Sequence, residues 1–499
     1  MENMWYAGVD IGTSGCKLLV YDLAGHVVYK AFRRYREIGT AGTRELDPHT
    51  VIENLLDMFK EVGAACGDKI KALAVASLGE SVVCLDANGK ILGNSLITGD
   101  PRGAEEIAEL VRRKGRKEIF EITGLPPNEL YSLPKLMWMD RNTNAIRDAE
   151  AILFYEDLAG YLLTGARKVS YSSAARSLAF DIRKKEWSEA LLSAAGIRRE
   201  QMSEPVLPLT VIGTILPEMA QKTGLDPALK IIVGGHDQTC AAIGSGLTDM
   251  QTGECGSGTC EFMFMKMNAP RMDEAMMEHD FTCIPYVQQN AYLTSLEVTT
   301  CGILKNWARE TILAGTDQES RAAGIDYYAY IERRAMEKRT DIMLLPQFGS
   351  SGNPDLDMNT QGTITGLTIH TKPEELYRAI LEGFAFQMKL SFEKLKDLGV
   401  VEMARIVATG GGARSDLTLQ IMADVFDMEI MTLESEESGT LGCAMMAAAA
   451  DAAQPDLEHA IDRMVRYKKH FYPQQEAVAY YHKKMERYRV LYEKMHKPF

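Results

Sequence analysis

Short apolar runs separated by turn residues predict a meander of strands at the start of the chain. Residues 6–9 and 18–21 are rich in β-forming side chains, and the small residues 12–15 (GTSG) form a tight turn between them. A further turn at Ala24-Gly25 leads to a third strand at residues 27–29. The pattern therefore indicates consecutive strands joined by hairpin turns.

Helical periodicity begins after Asp47-Pro48, where Asp suits the N-cap and Pro the first helical position. The apolar residues that follow fall on one helical face: Val51, Ile52, Leu55, Leu56 and Phe59. A strand at residues 70–76 and a hairpin turn at Asn88-Gly89 come next. Strand and helix signals continue to alternate along the chain, and this alternation predicts the α/β class.

A repeated motif indicates that the fold is doubled. The turn at residues 12–16 (GTSGC) returns at residues 256–260 (GSGTC), 244 residues later. We therefore expect two domains, 1–246 and 247–499, each opened by the same kind of hairpin. The segment from Asp462 onwards is basic, and we interpret it as a solvated helical tail packed on the second domain.

Length, charge and cysteine content narrow the class of protein. The 499 residues exceed one ordinary core, and the net charge of −14 argues against a nucleic-acid or anionic-membrane surface. The apolar run 441–450 (LGCAMMAAAA) is too short to span a bilayer and predicts a closely packed core helix. The nine cysteines show neither a C-x-x-C pair nor a metal spacing, and no leader is evident. We expect reduced thiols and a cytoplasmic protein.

The first motif with chemical content runs from Asp10 to Lys17. Backbone N–H groups of its turn can cradle phosphate oxygens, the Thr13 and Ser14 hydroxyls can add bonds, and Lys17 can neutralise charge. Asp10, at the end of a strand, can hold Mg²⁺ through water. The spacing is not that of a Walker A loop. Taken alone, a motif of this kind is more often a plain hairpin turn.

The second motif is a buried strand that ends in Gly234-Gly235 and is followed by His236-Asp237-Gln238. One interpretation makes Asp237 only the N-cap of the next helix. The other places its carboxylate at the carboxyl end of a strand, where α/β sheets bind ligands and where it can accept a hydroxyl proton. A helix N-terminus makes a weak base, but phosphoryl transfer asks little of its base.

Two further motifs indicate binding loops. Residues 406–416 (IVATGGGARSD) combine a strand, a glycine turn and a helix, which is a nucleotide-type arrangement without the dinucleotide fingerprint. After the strand at residues 70–76, Glu80 and the downstream Asp100 are reasonable partners for sugar hydroxyls. A solvated loop is the alternative there.

Together these motifs resemble the FGGY family of carbohydrate kinases, over nearly the whole chain. Residues 134–138 (PKLMW) and 362–367 (GTITGL) are similar to the two family signatures. The resemblance implies two actin-like, RNase-H-like ATPase domains around a cleft. It also implies ATP with Mg²⁺ as cofactors, a sugar or polyol as the small-molecule partner, and a possible homodimer.

The resemblance also assigns site residues. It implies Asp237 as catalytic base, Asp10 as metal-associated carboxylate, and Glu80, Asp100, Asp237 and Gln238 at the substrate. The nucleotide site would include the following residues: Gly12, Thr13, Ser14, Lys17, Gly258, Thr259, Gly302, Gly411, Gly412 and Ser415. Gly79 stands where glycerol kinases carry Arg, Leu130 where they carry Tyr, and the Glu80 loop lacks the Met-His-Gly expected of xylulose kinases. The exact sugar therefore stays open.

These observations favour an ATP-dependent kinase that phosphorylates a hydroxyl of a ketose or polyol, with xylulose, glycerol, tetritols and gluconate among its candidate substrates. An actin-like ATP-binding switch without a small-molecule acceptor is the rival class, since its phosphate turns would look the same. Asp237-Gln238 and the Glu80 loop argue against it, because a switch needs no polyol pocket. An NAD-dependent dehydrogenase is disfavoured by the missing fingerprint.

Overall fold

The chain forms two halves, each built around a twisted sheet, in a computed structural model that describes residues 4–40, 42–336, 338–357 and 360–495. The strands of the first half are β1 Trp5–Ile11, β2 Gly15–Tyr21, β3 Val27–Arg34, β4 Glu45–Leu46, β5 Ile70–Ser77, β6 Val82–Leu85, β7 Ser95–Leu96, β8 Ala151–Phe154, β9 Lys168–Ser170, β10 Phe180–Asp181, β11 Glu186–Trp187, β12 Glu204–Val206, β13 Val211–Thr214 and β14 Lys230–His236. Its helices are α1 Pro48–Cys66, α2 Ala104–Lys114, α3 Arg116–Thr123, α4 Ser132–Asn142, α5 Ala145–Asp148, α6 Tyr155–Thr164, α7 Tyr171–Ala175, α8 Glu189–Ala194, α9 Pro217–Thr223 and α10 Asp237–Gly244.

The second half repeats this alternation. Its strands are β15 Thr252–Ser257, β16 Glu261–Met267, β17 Ile284–Pro285, β18 Tyr292–Val298, β19 Met343–Leu345, β20 Thr363–Thr365, β21 Arg405–Gly410, β22 Glu429–Leu433 and β23 Tyr467–Phe471. Its helices are α11 Glu274–Glu278, α12 Cys301–Glu310, α13 Ala314–Ala322, α14 Tyr327–Ala335, α15 Pro373–Asp397, α16 Asp416–Phe426, α17 Ser438–Ala450, α18 Leu457–Met464 and α19 Gln475–Met495. Short 3₁₀ turns occur at Arg199–Gln201 and Gly411–Arg414.

The two main sheets share one topology. The first runs β13-β14-β5-β1-β2-β3, and the second runs β17-β18-β16-β15-β21-β22-β23. In each sheet a central strand (β1 or β15) pairs antiparallel with the next strand and parallel with a later one (β5 or β21). This correspondence confirms the predicted α/β class and the doubling inferred from the repeated turn.

Helix α1 forms where the sequence pattern predicts it. Asp47 is its N-cap and accepts the His49 N–H at 3.0 Å, and Pro48 opens the helix. Val51 and Phe59 are buried in the core, as the predicted apolar face requires. Ile52 and Leu56 lie at the edge of that face and are only half-buried.

The apolar run at residues 441–450 is a buried helix, as predicted, and it joins the two halves. Helix α17 belongs to the second half by sequence but packs against β1, β5 and α10 of the first. Small residues permit this close approach: a Cβ on Gly442 would lie 2.0 Å from the Cys240 carbonyl oxygen, and one on Gly8 would lie 1.9 Å from that of Thr440. One continuous hydrophobic cluster therefore runs through both halves.

The interpretation of the basic C-terminal segment as helical is wrong for residues 467–471. These residues form the edge strand β23, which pairs antiparallel with β22. Lys468 and Lys469 are exposed on this strand, and exposed lysines on an edge strand hinder its pairing with other chains. The segment therefore comprises the end of α18, an edge strand and the long helix α19.

Among the residues that the structure describes, no helix is both long and apolar enough to cross a bilayer.

Candidate active site between the two halves

Two adjoining cavities lie where the halves meet. The central cavity has a volume of about 390 Å³, and its lining includes Asp10, Lys17, Asp237, Gln238, Glu254, Gly256, Ser257, Gly258, Thr259, Thr409, Gly410, Glu436 and Glu437. The outer cavity, of about 430 Å³, shares Lys17, Thr409, Gly410, Glu436 and Glu437 with it and continues along Gly411, Arg414, Lys468 and Lys469. The repeated hairpins of the two halves thus contribute to a common cavity.

The first hairpin reaches the central cavity through its strand residues rather than its tip. Asp10 and Lys17, which are paired across β1 and β2, line the cavity. The tip is closed by a bond from the Gly12 N–H to the Gly15 carbonyl oxygen at 3.0 Å. Thr13 is half-buried and Ser14 is exposed. Among the described lining residues of the two cavities, Gly12, Thr13 and Ser14 do not occur.

Lys17 forms an ion pair with Glu437, with 2.7 Å between Nζ and Oε2. Burial lowers the pKa of Lys17, but the bond to Glu437 and the charge of Asp10 outweigh it, so the pKa is raised. Burial also raises the pKa of Asp10 to about 6, with Lys17 opposing and Glu437 adding to the shift. Lys17 is therefore a charged group at the junction of the two cavities.

Asp237 is the first residue of α10, and His236 is the N-cap, without a side-chain capping bond. The interpretation of Asp237 as only an N-cap is therefore wrong. Its Oδ1 accepts the Gln238 N–H at 2.6 Å and lies 3.1 Å from Nε2 of His236. Burial, together with the charges of Asp10 and Glu80, raises the pKa of Asp237 to about 8.

His236 is a neutral neighbour of this carboxyl group. Burial and the nearby Arg176 guanidinium lower the pKa of His236 to about 3. Its backbone N–H donates to the Ser172 hydroxyl at 3.1 Å, which fixes the end of β14. Asp237 thus sits on a rigid strand end, and its side chain is 30% exposed. A partly accessible carboxyl with a raised pKa is a common arrangement for a general base.

The carboxylate of Glu80 accepts hydrogen bonds from two other side chains of the protein. Arg176 donates from Nε to Oε1 at 2.6 Å and also from Nη2, while the Thr98 hydroxyl donates to Oε2 at 2.7 Å. Burial raises the pKa of Glu80, but Arg176, His236 and Thr98 reverse the effect and lower it to about 2. Arg176 also stacks on Tyr131, with 5.0 Å to the ring centroid. Glu80 is therefore an ionised carboxylate held in one orientation.

The other two predicted substrate residues differ in placement. Gln238 lines the central cavity, and its Oε1 lies 4.0 Å from the position that a Cβ on Gly256 would occupy. Asp100 is buried, and its oxygens accept the backbone N–H of Arg44 and the guanidinium of Arg102. Its carboxylate is largely occupied by these protein partners.

The turn of the second hairpin packs against Gly302, the second residue of α12. The Gly258 N–H donates to the Cys260 carbonyl oxygen at 2.8 Å, and the Gly302 N–H donates to Thr259 at 2.8 Å. A Cβ on Gly302 would lie 2.4 Å from the Gly258 carbonyl oxygen, so this position supports the turn from behind. Thr259 itself lines the central cavity.

The glycine turn after β21 packs on the end of β15. A Cβ on Gly412 would lie 2.4 Å from the Cβ atom of Ser257, so only glycine fits at this position. Gly411 lines the outer cavity, whereas Gly412 is buried behind it. Ser415 is the N-cap of α16 and accepts the Thr418 N–H at 3.1 Å.

Sequence reasoning assigned no role to four residues in or near the predicted site: Arg176, His236, Glu254 and Glu437. Arg176 lies at the C-terminal end of α7, 96 positions from the glutamate it binds. Glu437 lies 420 positions from its partner Lys17. Such separations leave no local pattern. His236 and Glu254 do lie beside sequence motifs, because His236 precedes Asp237 and Glu254 precedes the repeated turn.

Family models match both halves of the chain. A model of the N-terminal domain of the FGGY family of carbohydrate kinases matches residues 5–244, and a model of its C-terminal domain matches residues 253–450. A xylulose kinase from Bacillus subtilis (strain 168) is 25% identical over 490 residues, which are 97% of this chain and 96% of the relative. A gluconokinase from Bacillus licheniformis is 25% identical over 489 residues, 96% of this chain and 93% of the relative.

Solved structures agree with this assignment. A ligand-bound xylulose kinase from Lactobacillus acidophilus superimposes with a TM-score of 0.89 at 25% identity over 99% of both chains. A Plasmodium falciparum glycerol kinase with ADP gives 0.88 at 20% identity, over 99% of this chain and 98% of that one, and shows the fold alone. The predicted actin-like fold is confirmed, and the switch-protein alternative is not favoured. The chain belongs to the FGGY family of carbohydrate kinases, and it is an ATP-dependent enzyme that phosphorylates a hydroxyl group of a carbohydrate.

Proposed function

We propose that this kinase transfers the γ-phosphoryl group of ATP to a hydroxyl of an uncharged ketose or polyol, with Asp237 as the general base. The observation that carries the proposal is the position of Asp237. Its carboxyl group lines the central cavity together with Gln238 and the turn at residues 256–259. A hydroxyl bound there lies within reach of a base and of the backbone N–H groups that can hold phosphate oxygens.

The nucleotide fits the pair of cavities with its phosphates in the central one and its adenosine in the outer one. Gly411 lines the outer cavity, and Lys17 stands between the two. Lys17 can leave Glu437 for a phosphate oxygen and stabilise the transferring phosphoryl group. Closing of the halves over the sugar would exclude water, which would otherwise compete as acceptor.

Mg²⁺ is the metal that we propose to accompany ATP. Asp10 offers a suitable donor, since its Oδ1 is buried and has no hydrogen-bond partner among the described residues. Oxygen donors of this kind suit Mg²⁺. When bound, the ion would neutralise charge on the phosphates. Asp237 remains the group that takes the proton from the attacking hydroxyl.

The charge balance around Glu80 supports an uncharged substrate. Arg176 is paired with Glu80, and, against the lowering effect of burial, the charges of Glu80 and Asp237 help to raise the pKa of its guanidinium. Because this cation is already compensated, a sugar carboxylate would find no free positive partner there. We therefore favour ketoses and polyols, such as the substrate named for the xylulose kinase relative, over aldonates such as gluconate. An ADP-release screen across ketoses, pentitols, tetritols, glycerol and aldonates tests this choice.

The role of Asp237 is tested by Asp237→Asn. We expect kcat to fall by roughly 10²–10⁴-fold, the usual range for loss of a general base, with ATP affinity and Tm nearly unchanged. Because burial raises its pKa to about 8, parental kcat/KM should rise with pH up to that region, and the variant should lose this limb.

The matched control is Asp416→Asn. Asp416 is likewise the first residue of a helix, α16, but its carboxylate binds Lys469 at the surface. The Asp416→Asn variant should retain the parental kcat. A kcat above about a tenth of the parental value in Asp237→Asn would exclude general-base catalysis by this residue.

A homodimer and a cytoplasmic location stay predictions. Light scattering tests the homodimer, and cell fractionation tests the location.

A further inference from the structure

Glu156, near the start of α6, is a buried carboxyl group outside the two cavities. The residue is only 3% exposed and does not occur among the described lining residues of either cavity. Its Oε2 accepts the Ser170 hydroxyl at 2.8 Å and also the Ser173 hydroxyl. Ser170 is the N-cap of α7 and accepts the Ser173 N–H at 3.1 Å. One carboxyl oxygen therefore holds the first turn of α7.

A chain of hydroxyl groups leads from this carboxyl group to the strand that precedes the base. Ser170 Oγ lies 3.1 Å from Ser172 Oγ, and Ser172 accepts the backbone N–H of His236 at 3.1 Å. Because Ser170 donates its one hydroxyl proton to Glu156, Ser172 is the donor to Ser170. Every bond of the chain thus points towards Glu156. The chain ends on the residue directly before Asp237.

A second branch leads from the same oxygen to the sugar side. The Ser173 carbonyl oxygen accepts the Arg176 N–H at 3.1 Å, and Arg176 donates from its guanidinium to Glu80. Helix α7 has five residues, and so short a helix depends on contacts with its surroundings for its stability. The contacts of Glu156 with its first turn therefore help to place both Ser172 and Arg176.

A carboxyl group is a costly side chain at this position. Burial raises the pKa of Glu156 to about 7, while the bonds from Ser173 and Ser170 oppose the shift. Its Oε1 is buried and has no hydrogen-bond partner among the described residues. An unpartnered buried oxygen lowers stability, and such costs are common where a residue serves function. The stability of the fold alone therefore does not account for Glu156.

We propose that Glu156 is a positioning residue for phosphoryl transfer, which through α7 fixes both the strand end before Asp237 and the guanidinium that orients Glu80. The inference rests on the proposed function, because it depends on Asp237 as the base and on Glu80 at the sugar. Glu156 acts only through these residues. Its effect is nevertheless large, since a displacement of a reacting group by about 1 Å can cost about 100-fold in rate.

The test measures initial rates with the sugar that releases most ADP in the screen. Glu156→Leu keeps a similar volume but accepts neither serine hydroxyl. We expect kcat to fall by roughly 10–100-fold through misplacement of the base. KM for the sugar should rise by roughly tenfold, because Arg176 no longer holds Glu80 in one orientation.

Two further variants separate the branches. Ser172→Ala breaks only the chain to His236, so kcat should fall while KM for the sugar stays near the parental value. Glu156→Gln keeps an oxygen acceptor for both serines and should retain both kinetic constants. A loss in Glu156→Gln as large as that in Glu156→Leu would contradict the proposal, because the hydrogen bonds would then not be the cause.

Asp157→Ala is the matched control. Asp157 is the next residue of α6, is 1% exposed and accepts the Ser203 hydroxyl at 2.5 Å. Its Oδ1 is buried and has no hydrogen-bond partner among the described residues. Asp157→Ala should lower Tm and leave kcat and KM unchanged. Equal kinetic losses in Asp157→Ala and Glu156→Leu would mean that any loosening of α6 suffices, and would overturn the proposal.

A folded Glu156→Leu protein with parental kcat and sugar KM, and only Tm lowered, would leave Glu156 a purely structural residue. If Glu156→Leu does not fold, Glu156→Asp takes its place, because it withdraws the carboxyl group by one methylene group. The same kinetic losses are then expected and the same criterion applies. A parental enzyme that releases no ADP with any sugar would instead contradict the proposed function.

Discussion

At the scale of single residues, the lack of space above Gly79 determines which side chain can bind Glu80. A Cβ at this position would lie 2.5 Å from the His236 ring and 2.8 Å from Cγ of Arg176. The cation that binds Glu80 therefore comes from Arg176, at the end of α7, and no side chain can extend from position 79. This is the physical counterpart of the departure from the glycerol-kinase pattern noted in the sequence.

The first prediction at this scale concerns Arg176→Lys. Lysine keeps the charge but cannot donate two bonds to Glu80 or stack flat on Tyr131. We expect KM for the sugar to rise by roughly tenfold or more, equivalent to about 1–3 kcal/mol of lost hydrogen bonding, with a smaller change in kcat. Initial-rate kinetics with saturating Mg²⁺–ATP provide the measurement.

Arg378→Lys is the control for this change. Arg378 is also buried and donates to Glu382, but within α15 and away from the residues of the two cavities. Its replacement should lower Tm while leaving KM unchanged. Equal KM values for the two variants would mean that Arg176 has only a structural role.

Sequence reasoning found residues near strand ends that line the central cavity, and it missed residues brought close by tertiary contacts. Asp10 and Asp237 lie two residues from a glycine near a strand end, and the turn at residues 256–259 contains two glycines, so local pattern was sufficient to find them. Arg176 and Glu437 have no such signature, because their partners are distant in sequence. The tip residues Thr13 and Ser14 were predicted to bind phosphate, and that role stays a prediction.

At the scale of secondary structure, the contact between α10 and α17 is set by small residues. A Cβ on Gly442 would lie 2.0 Å from the Cys240 carbonyl oxygen, which belongs to backbone and cannot swing away. Gly442→Ala should therefore lower the free energy of unfolding by about 1–3 kcal/mol, the usual cost of overpacking. Chemical denaturation measures this directly.

Gly315→Ala provides the opposite expectation. Gly315 is exposed on α13, and a Cβ there would meet nothing within 4 Å. Alanine should stabilise by up to about 1 kcal/mol through helix propensity. If Gly442→Ala stabilises the protein as Gly315→Ala does, then helices α10 and α17 can move apart without a cost in free energy.

Secondary structure was predictable where periodicity was strong. Helix α1 has an N-cap, a proline and an apolar face, and all three appear as predicted. The edge strand β23 was missed because its central residues are two lysines and a histidine and four of its five residues are exposed, so it shows no apolar alternation. Its strand conformation comes from pairing with β22, which is a tertiary contact.

At the scale of the whole molecule, the halves are joined by more than the linker between them. Tyr21 and Thr440 share a hydroxyl hydrogen bond at 2.8 Å, and Lys230 pairs with Asp451 at 2.6 Å. These bonds connect the first sheet with α17 and the residue after it, over buried apolar contacts. The first half thus depends on a helix that the sequence places almost two hundred residues later.

We therefore predict that the chain unfolds in one cooperative transition, although its sequence predicts two domains. Calorimetry should give a van't Hoff enthalpy equal to the calorimetric one. Residues 1–246 produced alone should fail to fold, because the surface around Gly8 would lose α17 and expose apolar groups to water. Supplying residues 247–499 in the same cells should restore soluble protein. Two separate transitions, or a stably folded fragment 1–246, would show that each half completes its own core and that α17 only docks onto a finished sheet.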